Sequence, residues 1–409
     1  MKAKVVLGLL FGDEGKGVTV QNLVREAQSK GESVAVVRFS GGPQAAHAVI
    51  SDDKKHICST YGAGVLLGVE TYLTGDVYFD PYCANQERLA LEKIGISCPV
   101  LRVSNRVREI TPWDVFSDRD NSAVRSHGTC GKGIHASFVR HNCSEFSDRK
   151  PIEYSKVRDW YERRGYVSET ADKVVFEYAE ARSQLFRYGT SYFWDSDLSE
   201  HLKHYDTVIF EGSQGLLLDM DRGFFPHVTP SHTGIEDLAE RIDLTDAEIY
   251  LVCRPYLTRH GNGWDPLGKA PELFCKSQID SRIEINAENE YQGRFKTGAF
   301  DIPLAQSAWD RHCIDNWISK NKAYINLVIT HADAFSRNCG PDKAIQMIAE
   351  KRHILGNSDA PDIDVKYVMD AAGFFDRLPF KNKVCKLYMN SSPEGNMTEV
   401  SPDHRFSRF

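Results

Sequence analysis

The chain has no Cys-x-x-Cys pair. Its ten cysteines are scattered from Cys58 to Cys385, so local spacing encodes neither a zinc cage nor a dithiol couple, and reduced thiols are expected. It also has no run near 20 apolar residues. Met1 to Leu10 is interrupted by Lys2 and Lys4, passes directly into Gly12-Asp13-Glu14 and carries no cleavage-site pattern. That segment is expected to be a buried strand rather than a membrane span or export signal, and the expected location is cytoplasmic. Excess positive charge is missing as well: 50 Lys and Arg against 57 Asp and Glu give a net charge of -7. This excludes an electrostatic footprint for gripping nucleic acid along its length, so any phosphate is held locally. No repeat, low-complexity tract or Pro-rich linker divides the 409 residues, and a single domain over 1–409 is expected.

What is present is a set of short apolar runs: Val5–Leu10, Ser33–Phe39, Thr207–Phe210, Glu248–Val252, Tyr324–Thr330 and Val384–Tyr388. Amphipathic stretches such as Val18–Gln28 and Ala84–Ile94 lie between them, with apolar residues at three- and four-residue steps. Continuous apolar strands alternating with helices predict an α/β fold with a mostly parallel central sheet. The stretch 118–202 is richer in Arg, Glu, Tyr and Ser and reads as a helical elaboration on a core formed by 1–117 and 203–395.

The most informative segment is Gly12-Asp13-Glu14-Gly15-Lys16-Gly17, where the first strand ends and the first helix begins. Glycines there turn backbone N–H groups toward an anion, the helix start adds partial positive charge and Lys16 adds a full one. Val18 stands where the common phosphate-loop pattern has a metal-binding hydroxyl, which disfavours an ordinary P-loop kinase or GTPase. Asp13 instead offers a carboxylate able to bind Mg²⁺ or act as a base. A second turn, Gly41-Gly42-Pro43-Gln44-Ala45-Ala46-His47, follows the second strand. Loops at the carboxyl ends of parallel strands share one crevice, which would bring His47 near Asp13. Taken alone, the glycine loop is as readily a structural turn, and His47 a core histidine.

These two loops resemble those of the adenylosuccinate synthetase family, whose first strand ends in G-D-E-G-K-G and whose second loop ends in a histidine. The likeness repeats in chain order. Gly128-Thr129-Cys130-Gly131-Lys132-Gly133-Ile134 resembles the family's G-T-T-G-R-G-I, and Phe210 to Asp221, continuing to Pro226-His227-Val228-Thr229, resembles F-E-G-A-Q-G-x-L-L-D-I-D…P-Y-V-T. Tyr256 to Gly263 matches Y-x-T-R-x-G-x-G. Gly293-Arg294-Phe295-Lys296 is similar to G-R-x-R, Thr330-His331-Ala332-Asp333 to T-K-x-D, and Ser391-Ser392-Pro393-Glu394 extends the likeness toward a C-terminal nucleotide contact.

The resemblance implies a GTP- and Mg²⁺-dependent ligase that phosphorylates the 6-oxygen of a purine nucleotide, IMP or a close analogue. The amine of an amino acid, L-aspartate first, then replaces that oxygen. It makes Asp13 the base and a metal ligand, with Ala46 also at the metal, His47 the donor to the transferring phosphoryl group, and Lys16 part of the phosphate cradle with Gly12, Gly15 and Gly17. Gln44, Gln214, Leu218, Val228 and Thr229 fall at substrate positions, with Thr129 or Cys130 near its phosphate. Arg294 and Lys296 correspond to the amino-acid loop, Asp333 to the guanine contact, and Ser391 and Pro393 to the nucleotide. A homodimer with an arginine reaching the neighbouring site is implied, with Arg140 and Arg149 as candidates. Partners are otherwise small molecules, with no nucleic acid and no membrane.

The departures are specific. Tyr291 and Gln292 replace paired threonines, Lys296 gives a point charge where the family has a forked arginine, and His331 replaces a lysine. Pro43, Gln44 and Cys130 alter the purine pocket. Phage-encoded relatives that act on a guanine deoxynucleotide to make 2-aminoadenylosuccinate are therefore an alternative, although Asp13, which those relatives usually replace, is retained. A nucleotide-binding regulator without turnover is another.

Overall fold

A computed structural model describes residues 1–121, 129–146, 152–260, 284, 286, 291, 293–335, 345–351, 363–368, 370–392 and 395–400. Its strands in chain order are β1 Lys2–Gly8, β2 Val34–Arg38, β3 His47–Ser51, β4 Lys54–Cys58, β5 Glu70–Leu73, β6 Tyr78–Phe79, β7 Leu101–Ser104, β8 Arg108–Glu109, β9 Thr190–Phe193, β10 Thr207–Gly215, β11 Glu248–Cys253, β12 Tyr256–His260, β13 Phe295–Asp301, β14 Tyr324–Ile329, β15 Ile345–Lys351, β16 Ile363–Val368, β17 Val384–Met389 and β18 Thr398–Val400. Each of the six apolar runs picked out in the sequence forms a strand of the main sheet.

That sheet has ten strands in the order β18-β17-β14-β11-β1-β10-β2-β5-β7-β9. Every pairing is parallel except that of β17 with β18. The reason is visible in the side chains, which alternate between two apolar layers. Val5, Val37, Phe210, Leu251 and Leu327 enter one layer, and Val6, Val36, Ile209, Val252 and Val328 enter the other. A strand buried on both faces reads as a continuous apolar run, as these do. Helix α1 (Lys16–Ser29) covers the second layer through Val20, Leu23 and Val24, while helix Ile302–Arg311 covers the first through Leu304, Ala308 and Trp309. A smaller four-stranded sheet, β12-β13-β15-β16, stands beside the main one.

Helix α2 (Pro81–Lys93) precedes the helical elaboration, which is built from α3 (Pro112–Asp120), α4 (Ile134–His141), α5 (Tyr154–Glu162) and α6 (Glu169–Arg187). Thr111 and Asp114 start α3 with a reciprocal capping box behind Pro112. A separate small core of Trp113, Val157, Trp160, Tyr161 and Ala171 holds the helices together. The strand β9, inside the 118–202 stretch read as helical, completes the sheet edge.

Arg140 does not reach outward from this layer. Its side chain is fully buried and forks Asp114, with Nε to Oδ1 at 2.9 Å and Nη2 to Oδ2 at 2.7 Å, while Nη2 also donates to the Glu109 carbonyl. Tyr161 completes the arrangement by donating its hydroxyl to Asp114 at 2.6 Å. The expectation that Arg140 crosses a dimer interface is therefore corrected: a guanidinium locked in this way belongs to the interior. Arg149 lies outside the described residues. Arg140→Leu is expected to destabilise the fold by about 3–5 kcal/mol, because it strands a buried carboxylate. Denaturant unfolding checks this, and a loss below about 1 kcal/mol would contradict it.

Candidate active site

The chain between β1 and α1 forms the floor of the site. Gly12, Asp13 and Gly15 adopt left-handed backbone, with φ of 87°, 56° and 90°. Gly15 is required twice over: its φ is positive, and a Cβ there would lie 2.8 Å from Cγ2 of Thr330. It precedes α1 without any side-chain cap, so the first amides of the helix are left for an anion. At Gly17 a Cβ would stand 2.8 Å from that of His47, so the missing side chain lets the second loop close on the helix start.

Hydroxyl groups from β12 and from the residue that follows β14 fasten this loop. Thr258 donates to the Gly12 carbonyl at 2.9 Å, and Thr330 donates to the Glu14 carbonyl at 2.6 Å. Glu14 turns inward and accepts from the amides of Leu10 at 2.7 Å and Gly12 at 3.3 Å. Burial pushes its carboxyl up to about 8. Glu14 is thus a brace within the loop, a role the motif alone does not reveal.

Above the loop lies a cavity of about 600 Å³. Gly12, Asp13, Gly15, Lys16 and Gly17 line it, as do Gln44, Ala46, His47, Cys130, Gln214, Leu218, Asp333 and Ser391. The structure thus brings together residues spaced across almost the whole chain. Thr129, Val228, Thr229, Arg294 and Lys296 are not among its lining. Thr129 caps its own loop through the Gly131 amide at 3.2 Å, and Thr229 is held to the Leu218 carbonyl by its backbone at 2.8 Å. Arg294 is exposed. Pro393 and Gln292 lie outside the described residues. Tyr291, which takes a threonine's position, presses its ring on Gly131 and stacks under Arg119 at 5.2 Å.

The charges in the cavity influence one another. Burial raises the Asp13 carboxyl, but His260, whose Nδ1 stands 3.7 Å from Oδ2, together with Arg254 and Lys16 holds it below its ordinary value. Asp13 is therefore ionised at neutral pH. Burial lowers the Lys16 ammonium, against the opposing pull of Glu14, Asp13 and Glu211. His47 pairs its Nδ1 with Oε1 of Glu211, which is wholly buried and also accepts from the Ala63 amide at 2.8 Å. Burial lowers the His47 ring and Glu211 opposes that fall. The pairing fixes the ring so that Nε2, buried and without a protein partner, belongs to the cavity side. Both amide atoms of Gln44 are likewise buried and unpaired. Such groups in one cavity mark where a polar ligand supplies the missing partners.

Sequence reasoning missed Glu211, Arg254 and His260 as site residues. Glu211 stood inside a quoted motif, but its partner is 164 positions away in sequence. His260 fills an unspecified position inside the Tyr256 to Gly263 match and Arg254 precedes it, and both line the same cavity. His331, in place of a lysine, is driven well toward its neutral form by burial and by the Arg254 charge.

A doubly wound sheet with a glycine loop, an ionised carboxylate, a lysine and a carboxylate-bound histidine around one cavity defines an α/β enzyme that handles nucleotide phosphate. The family model described as adenylosuccinate synthetase matches residues 5–318, and the chain belongs to that family of GTP-dependent C–N ligases. It is 31% identical over 304 residues to the adenylosuccinate synthetase of Alkaliphilus metalliredigens, covering 68% of each chain, and 29% identical over 290 residues to that of Caldicellulosiruptor bescii, covering 66% of each. The chain thus matches about two thirds of the length of these relatives. Its fold is similar to that of fully ligated adenylosuccinate synthetase from Plasmodium falciparum, with a TM-score of 0.68 at 18% identity over 98% of this chain and 100% of that one. It is also similar to cyanophage S-2L succinoaminodeoxyadenylate synthetase bound to dGMP and to dATP as an energy donor, with a TM-score of 0.61 at 14% identity over 97% of this chain and 95% of that one. Among the described residues no helix is long and apolar enough to cross a membrane.

Proposed function

We propose that this chain uses GTP to phosphorylate the 6-oxygen of a purine nucleotide, IMP or a close analogue, and then replaces that oxygen with the amine of an amino acid, L-aspartate first. The observation that carries this reading is the meeting of Asp13, Lys16 and the His47–Glu211 pair on one cavity. An ionised Asp13 accepts the proton from purine N1, which turns the 6-oxygen into a nucleophile. A bond from that oxygen to the γ-phosphorus forms as the bond to the GDP oxygen breaks. Lys16 donates to the oxygens on which charge accumulates, and so does His47, whose proton Glu211 helps to retain against the effect of burial. The amine then adds at C6, loses a proton, and inorganic phosphate departs.

Asp13 offers carboxylate oxygens at the loop and Ala46 adjoins the same cavity, a hard donor set that suits Mg²⁺. When bound, the ion neutralises charge on the GTP phosphates. Asp333 and Ser391 would meet the guanine nucleotide, and Gln44, Gln214 and Leu218 the purine substrate. Arg294 and Lys296 would have to approach with the amino acid. A homodimer in the cytoplasm is part of the same reading.

A second reading, a guanine deoxynucleotide as substrate, is favoured by the unpaired amide of Gln44 and by the dGMP-bound structural neighbour. Purified protein with GTP, Mg²⁺, L-aspartate and IMP, GMP or dGMP should release phosphate and yield a new ultraviolet-absorbing product of the expected mass. Absence of phosphate release with every purine would overturn the ligase reading; tight nucleotide binding in that case would indicate a regulator.

A further inference from the structure

Strand β4 alternates its side chains between two surroundings, as a pleated strand does. Lys55 and Ile57, with Ser59 just beyond the strand, line the cavity. His56 and Cys58 lie on the opposite side, where Glu87 meets them from α2. All three residues are buried, and an imidazole nitrogen, the thiol sulfur and a carboxylate oxygen lie within 4.8 Å of one another.

The donor atoms of this cluster are held unequally. Glu87 Oε2 is saturated: it accepts from the Ser59 amide at 3.1 Å, the Ser59 hydroxyl at 2.9 Å and the Thr60 amide at 2.6 Å. Oε1 has two long contacts instead, with the Tyr61 amide and with His56 Nε2, each at 3.3 Å. The Cys58 side chain is wholly buried, in no disulfide, and makes no hydrogen bond among the described residues. The carboxylate is thus oriented by one oxygen and leaves the other weakly engaged beside a nitrogen and an unpartnered sulfur.

These donor types select the ion. Mg²⁺ takes oxygen ligands in an octahedron, whereas a borderline-soft ion such as Zn²⁺ takes nitrogen, sulfur and oxygen in a tetrahedron. When the metal binds, the thiol proton passes to solvent and the sulfur coordinates as thiolate. A thiolate, a carboxylate and a neutral imidazole then balance a dication, so the loaded cluster adds no net charge to the interior.

We propose that His56, Cys58 and Glu87 form a site for a divalent ion of the Zn²⁺ type, with water in the fourth position, that staples the β3–β4 hairpin to α2 behind the cavity. Cys58 stands opposite His47 in the hairpin register, so the ion would stiffen the wall that carries the histidine. The site is separate from the nucleotide and its Mg²⁺, and it stands whether or not the ligase reading does.

The full chain, stripped with chelator and titrated with Co²⁺, should develop a thiolate-to-metal charge-transfer band that saturates at one ion per chain and is abolished by Zn²⁺. Cys58→Ser should lose the band and weaken Zn²⁺ binding by more than about 100-fold, beyond the about 10–100-fold typical of losing an outer partner of a metal ligand. Cys313→Ser, at an exposed cysteine, should retain both. Zn²⁺ should raise the melting temperature of the wild type and leave that of Cys58→Ser unchanged. Absence of the band in the wild type overturns the inference and leaves His56 and Glu87 as a plain structural pair; a band that survives Cys58→Ser, or is lost in Cys313→Ser, overturns it by placing the ion elsewhere. Should Cys58→Ser not fold, zinc-edge anomalous diffraction from the Zn²⁺-loaded wild type decides. A peak about 2.3 Å from Cys58 Sγ and about 2.0–2.2 Å from donors of His56 and Glu87 supports the site, and a peak elsewhere or none refutes it.

Discussion

Asp13→Asn is expected to lower turnover by about 10²–10⁴-fold, the range for loss of a general base, while nucleotide binding changes little. Two features separate these effects. The loop around Asp13 is held by the hydroxyls of Thr258 and Thr330 and by the inward carboxyl of Glu14, none of which the substitution touches. Asn is isosteric and tolerates the left-handed backbone at this position, where φ is 56°. What is lost is the negative oxygen that receives the N1 proton. Phosphate release at saturating GTP and purine should therefore fall as kcat, with calorimetric Kd for the nucleotides retained. Undiminished phosphate release would remove Asp13 from the role of base. A loss carried by Kd alone would make it a binding residue only.

His47→Asn should cost about 10²–10³-fold in kcat, the loss typical when one donor to developing oxyanion charge is removed. Its dependence on Glu211 gives the prediction a second arm. Glu211 holds the ring by one oxygen and is itself held by the Ala63 amide through the other, so Glu211→Gln keeps the shape and loses the charge. That variant should fall short of wild type by about tenfold, and combining it with His47→Asn should add almost nothing, because both changes act through one imidazole. Full additivity in the double variant, read from steady-state kinetics, would show that Glu211 acts independently of the ring.

How much of this was legible in the sequence depended on whether a feature is local. The first loop, Gly12 to Gly17, is six consecutive residues whose conformational demands are written in glycine and lysine, and the structure puts all of it beneath the cavity. The six central strands were readable because burial on both faces leaves continuous apolar runs. Strands β5, β7 and β9 were not, since each is four residues long, lies toward one sheet edge and carries polar residues such as Glu70, Arg102 and Ser191. Pairings across long sequence distance were also hidden. Nothing near His47 announces Glu211, and nothing near Asp13 announces His260. In the other direction, Thr129 and Arg294 match motif positions and Lys296 departs from one, yet none of the three lines the cavity, because a motif records residue order and not the position of the loop that bears it.

The placement of β1 has a consequence for folding of the chain. Its neighbours are β10 and β11, with Lys2 opposite Thr207 and Lys4 opposite Glu248, and the loop that follows it waits for Thr258 and Thr330. β1 thus waits for strands more than 200 positions further along the chain, and long-range parallel pairing of this kind is slow. The loop is fastened to Thr330 across 316 positions, so the complete nucleotide centre forms only once both ends of that interval have met. From then on nucleotide binding ratchets the finished centre closed, as any ligand does that recognises only the native state.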